Sequence, residues 1–400
     1  MKIITDLISD KTCFGCGMCV TICPKKAIHL KLNVDGFYCP TLVHAEECNG
    51  CGLCTKVCSY IDSQKNSNSS PLRAFGAWSL DHEVRKKCSS GGVAFELGRY
   101  LLSQGYKVCS VRFNAAKNRA EHYIASSINE LISGTGSKYI QSYTIDAFKS
   151  INRKEKYLII GTPCQIDSFK KYASLYRCEK NFVFVDFFCH GVPSKFIWDK
   201  YVAEAERTVG KITYASWRNK FNGWHDSWSI GINGHKVEND KNDQLTYGQL
   251  IRETETYIDS RFTQGDIFYR MFLEHHCMSK ACHEDCKFKK YYSSADIRLG
   301  DFWGKTYTKN EEGVSAVLCF TEKGEEILKN SNLTLVNHDS EVVCEGQLAT
   351  NAKASFMRSW FMNKLRDKNS TITDIKRLLT FYNVIMLPQK IYNKLKVVLR

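Results

Sequence analysis

CFGCGMCVTICP (13–24) returns as CNGCGLCTKVCS (48–59), and this repeat decides what the chain is built around. In both, four cysteines follow the spacing x2, x2, x3: Cys13, Cys16, Cys19 and Cys23, then Cys48, Cys51, Cys54 and Cys58. Pro24 closes the first run, while Ser59 stands in the equivalent place of the second. Three thiolates on one tight loop can cap three corners of a 4Fe–4S cubane, and the fourth cysteine reaches the neighbouring cluster. Gly15, Gly17, Gly50 and Gly52 let the backbone wrap closely around such a group. The spacing therefore predicts two crossed sets: Cys13, Cys16, Cys19 with Cys58, and Cys48, Cys51, Cys54 with Cys23. Zinc takes separated pairs of ligands, so four cysteines in eleven residues, repeated, argue against it. Cys39 lies outside both runs and reads as a packed thiol.

The rest of the composition agrees with a redox protein of two or three domains. Hydrophobic residues make up 43% and charged residues 24% of the 400, ordinary values for a globular chain. Nineteen cysteines are not ordinary. The opening MKIITDLISD carries acids where a signal peptide needs an apolar run, and no stretch has eighteen apolar residues in succession. A cytoplasmic, reducing compartment is expected, where clustered thiols bind metals more often than they pair. The formal charge of +14 counts cysteines as neutral; each cluster with its four thiolates brings it down by about two. The remaining basic balance suits an acidic donor protein or an anionic substrate, and no motif points to nucleic acid.

Residues 1–62 form the expected ferredoxin-type domain, and the polar run DSQKNSNSS (62–70) supplies a linker over 63–72. From there to about 370 the texture is α/β. Gly91–Gly92 open a helical pattern, VAFELGRYLLSQG, followed by a strand from Tyr106 to Phe113. Tyr157–Ile160 and Asn181–Phe188 read as buried strands, with a helix from Gln165 to Tyr172 between them. Residues 205–270 show short aromatic strands without a clean period. The tail, 371–400, holds six basic residues beyond 374 and no acid there; Pro388 is expected to interrupt its helix. Packing on the protein's own body is the favoured reading of this tail, over contact with a membrane surface.

Four further stretches stand out: CSSGGV (88–93), GSKYIQS (136–142), GTPCQI (161–166) with FFCHGVPS (187–194), and ACHEDCKFKKYYSSADIRLGDFWG (281–304). Together they resemble the coenzyme F420 hydrogenase/dehydrogenase beta-subunit family, over most of residues 74–320 and the fused ferredoxin. The resemblance implies an α/β (α+β) flavin-binding domain preceded by a small two-cluster bacterial-ferredoxin-like α+β domain. It implies FAD and a third 4Fe–4S cluster, held by Cys164, Cys189, Cys282 and Cys286. The last pair is one residue further apart than the family pattern, which leaves Cys277 or Cys282 as the partner of Cys286. By residue type alone, Cys164 and Cys189 read as buried thiols, and a zinc site on Cys277, Cys282, His283 and Cys286 competes. Cys88, Cys109, Cys178, Cys319 and Cys344 read as core residues.

For the flavin, the resemblance implies Ser89, Ser90, Gly91 and Gly92, at the start of a helix whose free N–H groups suit a pyrophosphate. An ordinary helix cap by Ser90 explains the same residues. It also implies Gly136, Ser137, Lys138 and Tyr139, which otherwise read as a surface loop. Thr162, Gln165 and Asp301 are candidates for hydrogen bonds to the flavin ring, although Asp296 and Asp301 serve equally well as turn caps. SWRNKFNGW (216–224) resembles a bacterial-branch motif of the family, and Trp217, Arg218, Lys220 and Trp224 are candidate substrate residues or an aromatic hairpin packed on a sheet. The expected function is an oxidoreductase fed by a ferredoxin or another one-electron donor, with a small organic acceptor. A non-catalytic electron-transfer subunit docking on a partner is the alternative.

Overall fold

The computed structural model describes residues 3–9, 12–61, 70–235 and 257–398, with side chains described as far as 388. Most of the expected linker and the charged groups of Lys390, Lys394, Lys396 and Arg400 lie outside the described residues.

The ferredoxin-type part is small. Strands β1 (Ile28–Leu32) and β2 (Tyr38–Leu42) pair antiparallel, and short helices Met18–Ile22 and Leu53–Lys56 follow the two cysteine loops. Gly15 has a φ of +68°, and a Cβ there would come within 2.5 Å of the Tyr38 carbonyl oxygen, so only glycine closes this loop.

The body is mixed α/β around one eight-stranded sheet. In chain order its strands are β3 (Arg73–Ser79), β4 (Lys107–Asn114), β5 (Arg119–Ala125), β6 (Tyr157–Ile160), β7 (Phe182–Phe187), β11 (Ile297–Asp301), β12 (Ser315–Cys319) and β13 (Leu333–Asn337). They lie in the order 13-3-12-11-7-6-4-5. Neighbours among β4, β6, β7 and β11 are parallel, and the outer pairings are antiparallel. In helix Val93–Ser103 the buried Val93, Leu97 and Leu101 fall at helical spacing and cover one face of the sheet. Helix Pro163–Leu175 covers the other face with Ile166, Phe169 and Ala173. These elements match the expected ones to within a few residues. A second, three-stranded antiparallel sheet resolves the illegible region: β8 (Lys211–Ser216), β9 (Ser229–His235) and β10 (Tyr257–Arg261).

The ferredoxin part is fused to the body by core. Met18, Ile22 and Val57 belong to the same buried cluster as Phe148 and Phe169. Gln141 adds a polar clamp: its Oε1 accepts from the Tyr38 N–H at 2.7 Å, and its Nε2 donates to the Phe14 carbonyl at 3.1 Å. Gln141→Ala strands both backbone groups and is expected to cost about 1–3 kcal/mol, read as a lower thermal midpoint. An unchanged midpoint would show that the apolar contact alone holds the two parts together.

The tail departs from expectation. Pro388 lies inside one helix, Ile372–Val398, rather than interrupting it. The proline removes one backbone hydrogen bond, a loss that the helix tolerates here. Ile375 and Leu379 are buried against the body, with Leu378 and Tyr382 packed beside them. Phe381, Val384, Ile385 and Leu387 face outward.

Candidate redox centre

The two cysteine runs cross in space. Cys13, Cys16, Cys19 and Cys58 line one cavity, with Ile4, Ile8, Phe14 and Pro40 as apolar wall. Cys23, Cys48, Cys51 and Cys54 line a second. Each encloses about 340 Å³, including part of its open mouth. Burial, and then the Cys16 and Cys58 thiols, push the Cys13 thiol well above its ordinary value. Such crowded thiols suit a metal group, which takes them as thiolates. Among the described residues no three Cys, His, Asp or Glu side chains converge on a point that one metal ion could occupy. Each quartet instead surrounds a volume, as a cubane requires.

Two further cysteines stand at the carboxyl ends of the parallel strands. Cys164 follows β6, at the start of helix Pro163–Leu175, and Cys189 follows β7. Burial, then Cys189 and Cys286, push the Cys282 thiol up to about 12. Burial and then Cys16, Cys189 and Cys282 raise Cys164, apart from a lowering contribution from its hydrogen-bond partner Thr162. Burial and mutual repulsion thus raise Cys164, Cys189 and Cys282 together, with Cys286 acting on the last two. Gly191 lets the chain pass Cys282: a Cβ there would lie 3.6 Å from its Sγ and far closer to Met278. Lys289, itself buried, donates to the carbonyls of Cys189 and His190 at 2.8 and 3.4 Å, placing a cation beside the set. Cys277 stands elsewhere: its thiol donates to the Met271 carbonyl, and the charged group acting on it is Arg358. His283 directs Nδ1 to the Ala352 carbonyl at 2.7 Å. The zinc set built on Cys277 is thus not assembled here.

The strand ends are held by buried ion pairs. Arg298 and Asp186 pair in two parallel contacts of 2.7 Å, both side chains fully buried. Asp296 accepts from the Phe184 N–H and the Thr321 hydroxyl, so it staples strands rather than facing the site.

The remaining candidates fall into two groups. Thr162 and Gln165 form a reciprocal cap on helix Pro163–Leu175; Gln165 also donates to Ser142 at 3.1 Å, and the Thr162 hydroxyl lies 3.2 Å from Cys164 Sγ. The second group gathers around residues 88–92. Ser89 Oγ accepts from the Ser137 N–H at 2.9 Å, and a Cβ on Gly136 would lie 3.9 Å from it. Arg218 reaches across to Asp301 at 2.9 and 3.1 Å, to the Tyr139 hydroxyl at 3.2 Å and to the Ser89 carbonyl at 3.4 Å. Asp301 also accepts from Trp224 Nε1 at 2.8 Å. Lys220 donates to the carbonyls of Arg85, Ser90 and Glu312, and Lys138 to those of Gly134, Thr135 and Gly136. Burial pushes Lys138 down to about 7 and Lys220 to about 8, with Cys88 working the other way on both. Arg85, Lys138, Arg218 and Lys220 thus bring four basic groups to one serine–glycine turn.

Ser90 does not cap the helix. Gly92, with φ +86°, holds that position, and the Ser90 hydroxyl donates to the Val314 carbonyl at 2.9 Å. Gly91 is required by packing, since a Cβ would fall 2.2 Å from the Ala77 carbonyl oxygen. The substrate candidates do not line an open pocket. Trp217 is buried against Phe113 and Trp198, and Trp224 stacks on Trp303 at 5.0 Å. All four lie in the loop between β8 and β9, which carries Arg218 to its pairing with Asp301. Sequence reasoning passed over Ser227, which accepts from Arg218, and over Arg85, Trp228, Lys289 and Ser168; single polar residues without spacing carry no signal.

Fold and site together define an iron–sulfur electron-transfer protein with a ferredoxin-type part packed on a mixed α/β body. Residues 12–60 match the model of the 4Fe-4S dicluster domain. Residues 74–149 match the N-terminal model, and residues 154–338 the C-terminal model, of the coenzyme F420 hydrogenase/dehydrogenase beta subunit. The chain belongs to this family. Among solved structures it resembles a chain of the F420-reducing NiFe hydrogenase complex from Methanosarcina barkeri, at 17% identity and a TM-score of 0.43, covering 75% of this chain and 90% of that one. No curated protein matches it. No described helix is long and apolar enough to cross a membrane.

Proposed function

We propose that this chain is a flavin-dependent iron–sulfur oxidoreductase, taking electrons from a ferredoxin or similar one-electron donor and passing them to a small organic acceptor. The observation that carries the reading is the meeting of the first cysteine run with the helix that bears Cys164: Cys16 Sγ lies 3.2 Å from Ser168 Oγ on that helix, and Ser59 donates to the Cys164 carbonyl at 3.1 Å. In this reading Cys13, Cys16, Cys19 and Cys58 hold one 4Fe–4S cluster, and Cys23, Cys48, Cys51 and Cys54 a second. Cys164, Cys189, Cys282 and Cys286 hold a third, and FAD binds near residues 88–92 and 136–139. When bound, clusters carry single electrons and a flavin pairs them for two-electron chemistry.

The chain's own residues prepare these sites. The second quartet contains the exposed Cys51 and suits electron entry, while the first is packed against the body. Arg85, Lys138, Arg218 and Lys220 supply positive charge for a pyrophosphate, and Ser89, Ser137 and Tyr139 supply hydroxyls. Thr162 and Gln165 fix the turn that carries Cys164. The domains follow the same division: 1–62 ferredoxin-type, 63–72 linker, 73–370 flavin and third cluster, 371–400 tail.

Reduced ferredoxin added to the anaerobic chain should bleach the cluster absorbance and then the flavin absorbance. Cluster reduction with no flavin response would remove the flavin half of the reading. The matched models describe a beta subunit, which favours a second reading, an electron-transfer subunit working on a partner. Turnover by the isolated chain supports the enzyme; activity only with a co-purifying protein supports the subunit.

A further inference from the structure

The boundary between the first cysteine quartet and the body contains a short chain of hydroxyls. Ser168 Oγ lies 3.2 Å from Cys16 Sγ and donates to Ser59 Oγ at 3.0 Å; Ser59 Oγ donates to the Cys164 carbonyl at 3.1 Å. Ser168 and Ser59 are both buried, Ser168 completely. Each carries one hydroxyl proton. A cluster-bound Cys16 is a thiolate and donates nothing, so the contact to its sulfur requires the proton of Ser168. Ser59 keeps its own proton for the Cys164 carbonyl; the Ser168 proton, directed to the Ser59 oxygen here, turns to the sulfur once Cys16 is a thiolate. The counterpart of Cys16 in the second run, Cys51, is exposed to solvent.

We propose that Ser168 is a positioning and potential-setting residue for the first cluster: its hydroxyl donates to the Cys16 sulfur and raises that cluster's reduction potential relative to a chain without it. The inference rests on the cluster assignment proposed above. Hydrogen bonds to cluster sulfurs stabilise the more negative, reduced state. The residue sits on helix Pro163–Leu175, one turn after Cys164, so the same helix supplies a ligand to one proposed cluster and a donor to the other. The first cluster is thereby distinguished from the second and held as the step that faces the body.

The test is an anaerobic redox titration of the full chain by electron paramagnetic resonance, with iron counted in the same samples. Ser168→Ala should lower the midpoint of one N-terminal cluster, leaving the other midpoint and the iron content unchanged. Ser59→Ala keeps the donor to Cys16 and should leave that midpoint at or above the starting value. Unchanged midpoints in Ser168→Ala at full iron content overturn the inference while leaving the cluster assignment intact. So does an equal downward shift in Ser59→Ala, which would report altered packing instead of a lost donor. A wild-type chain with fewer than about eight irons would overturn the assignment and the inference with it.

Discussion

Cys164→Ser should reduce the iron content from about twelve to about eight atoms per chain and abolish fast electron delivery beyond the N-terminal clusters. Cys164 occupies the turn after β6, and Cys16, Cys189 and Cys282 are among the groups that raise its thiol. Serine keeps the volume and the hydrogen bond to Thr162, and the Thr162–Gln165 cap keeps the helix start in place, so the fold should survive. Both N-terminal clusters retain all their ligands and should still bleach with reduced ferredoxin. Iron analysis and stopped-flow absorbance together check this outcome. Full iron content with unaltered electron delivery would remove Cys164 from the site.

Asp301→Ala is expected to destabilise the body by about 3–5 kcal/mol, because it leaves a buried guanidinium without its carboxylate. The Arg218 side chain has no exposure, and Asp301 supplies two of its contacts. Burial works against the Arg218 charge, but Asp301 and then the Tyr139 hydroxyl outweigh it and hold its pKa above the ordinary value. Trp224 loses its acceptor in the same variant. Thermal unfolding checks the size. The double change Arg218→Met with Asp301→Leu removes both charges and should recover much of the loss, since a buried pair often trades evenly against apolar groups. The double variant should still fail to retain flavin. Retained flavin there would show that the pair serves the fold alone.

The cysteine grammar made half of this legible beforehand. Spacing alone brings Cys58 to the first run and Cys23 to the second, and the cavities follow that crossing. Buried strands such as Tyr157–Ile160 declared themselves as apolar runs ending at a glycine, which also located the Cys164 turn. Less was legible where contacts join distant segments. Nothing near Ser168 says that its hydroxyl meets Cys16, 152 residues earlier. Lys138 looks like a flavin ligand in sequence and Lys220 like a substrate residue, yet each ammonium is wrapped by carbonyls. Trp217 and Trp224 look like pocket walls because aromatics suit both walls and cores, and only packing separates the two. Cys277 and Cys282 are the same residue type and both precede Cys286 closely in sequence; the Cys277 thiol is taken up by the Met271 carbonyl. Pro388 looked like a helix end, but the packing of Ile375 and Leu379 anchors the helix before it.

The central claim is a relay of three clusters to a flavin within one chain. Purifying the chain without oxygen and counting iron, acid-labile sulfide and released flavin in one sample tests it most directly. About twelve irons, as many sulfides and one FAD per polypeptide are expected. About eight irons and no flavin would contradict it and leave a two-cluster ferredoxin joined to a body of other purpose.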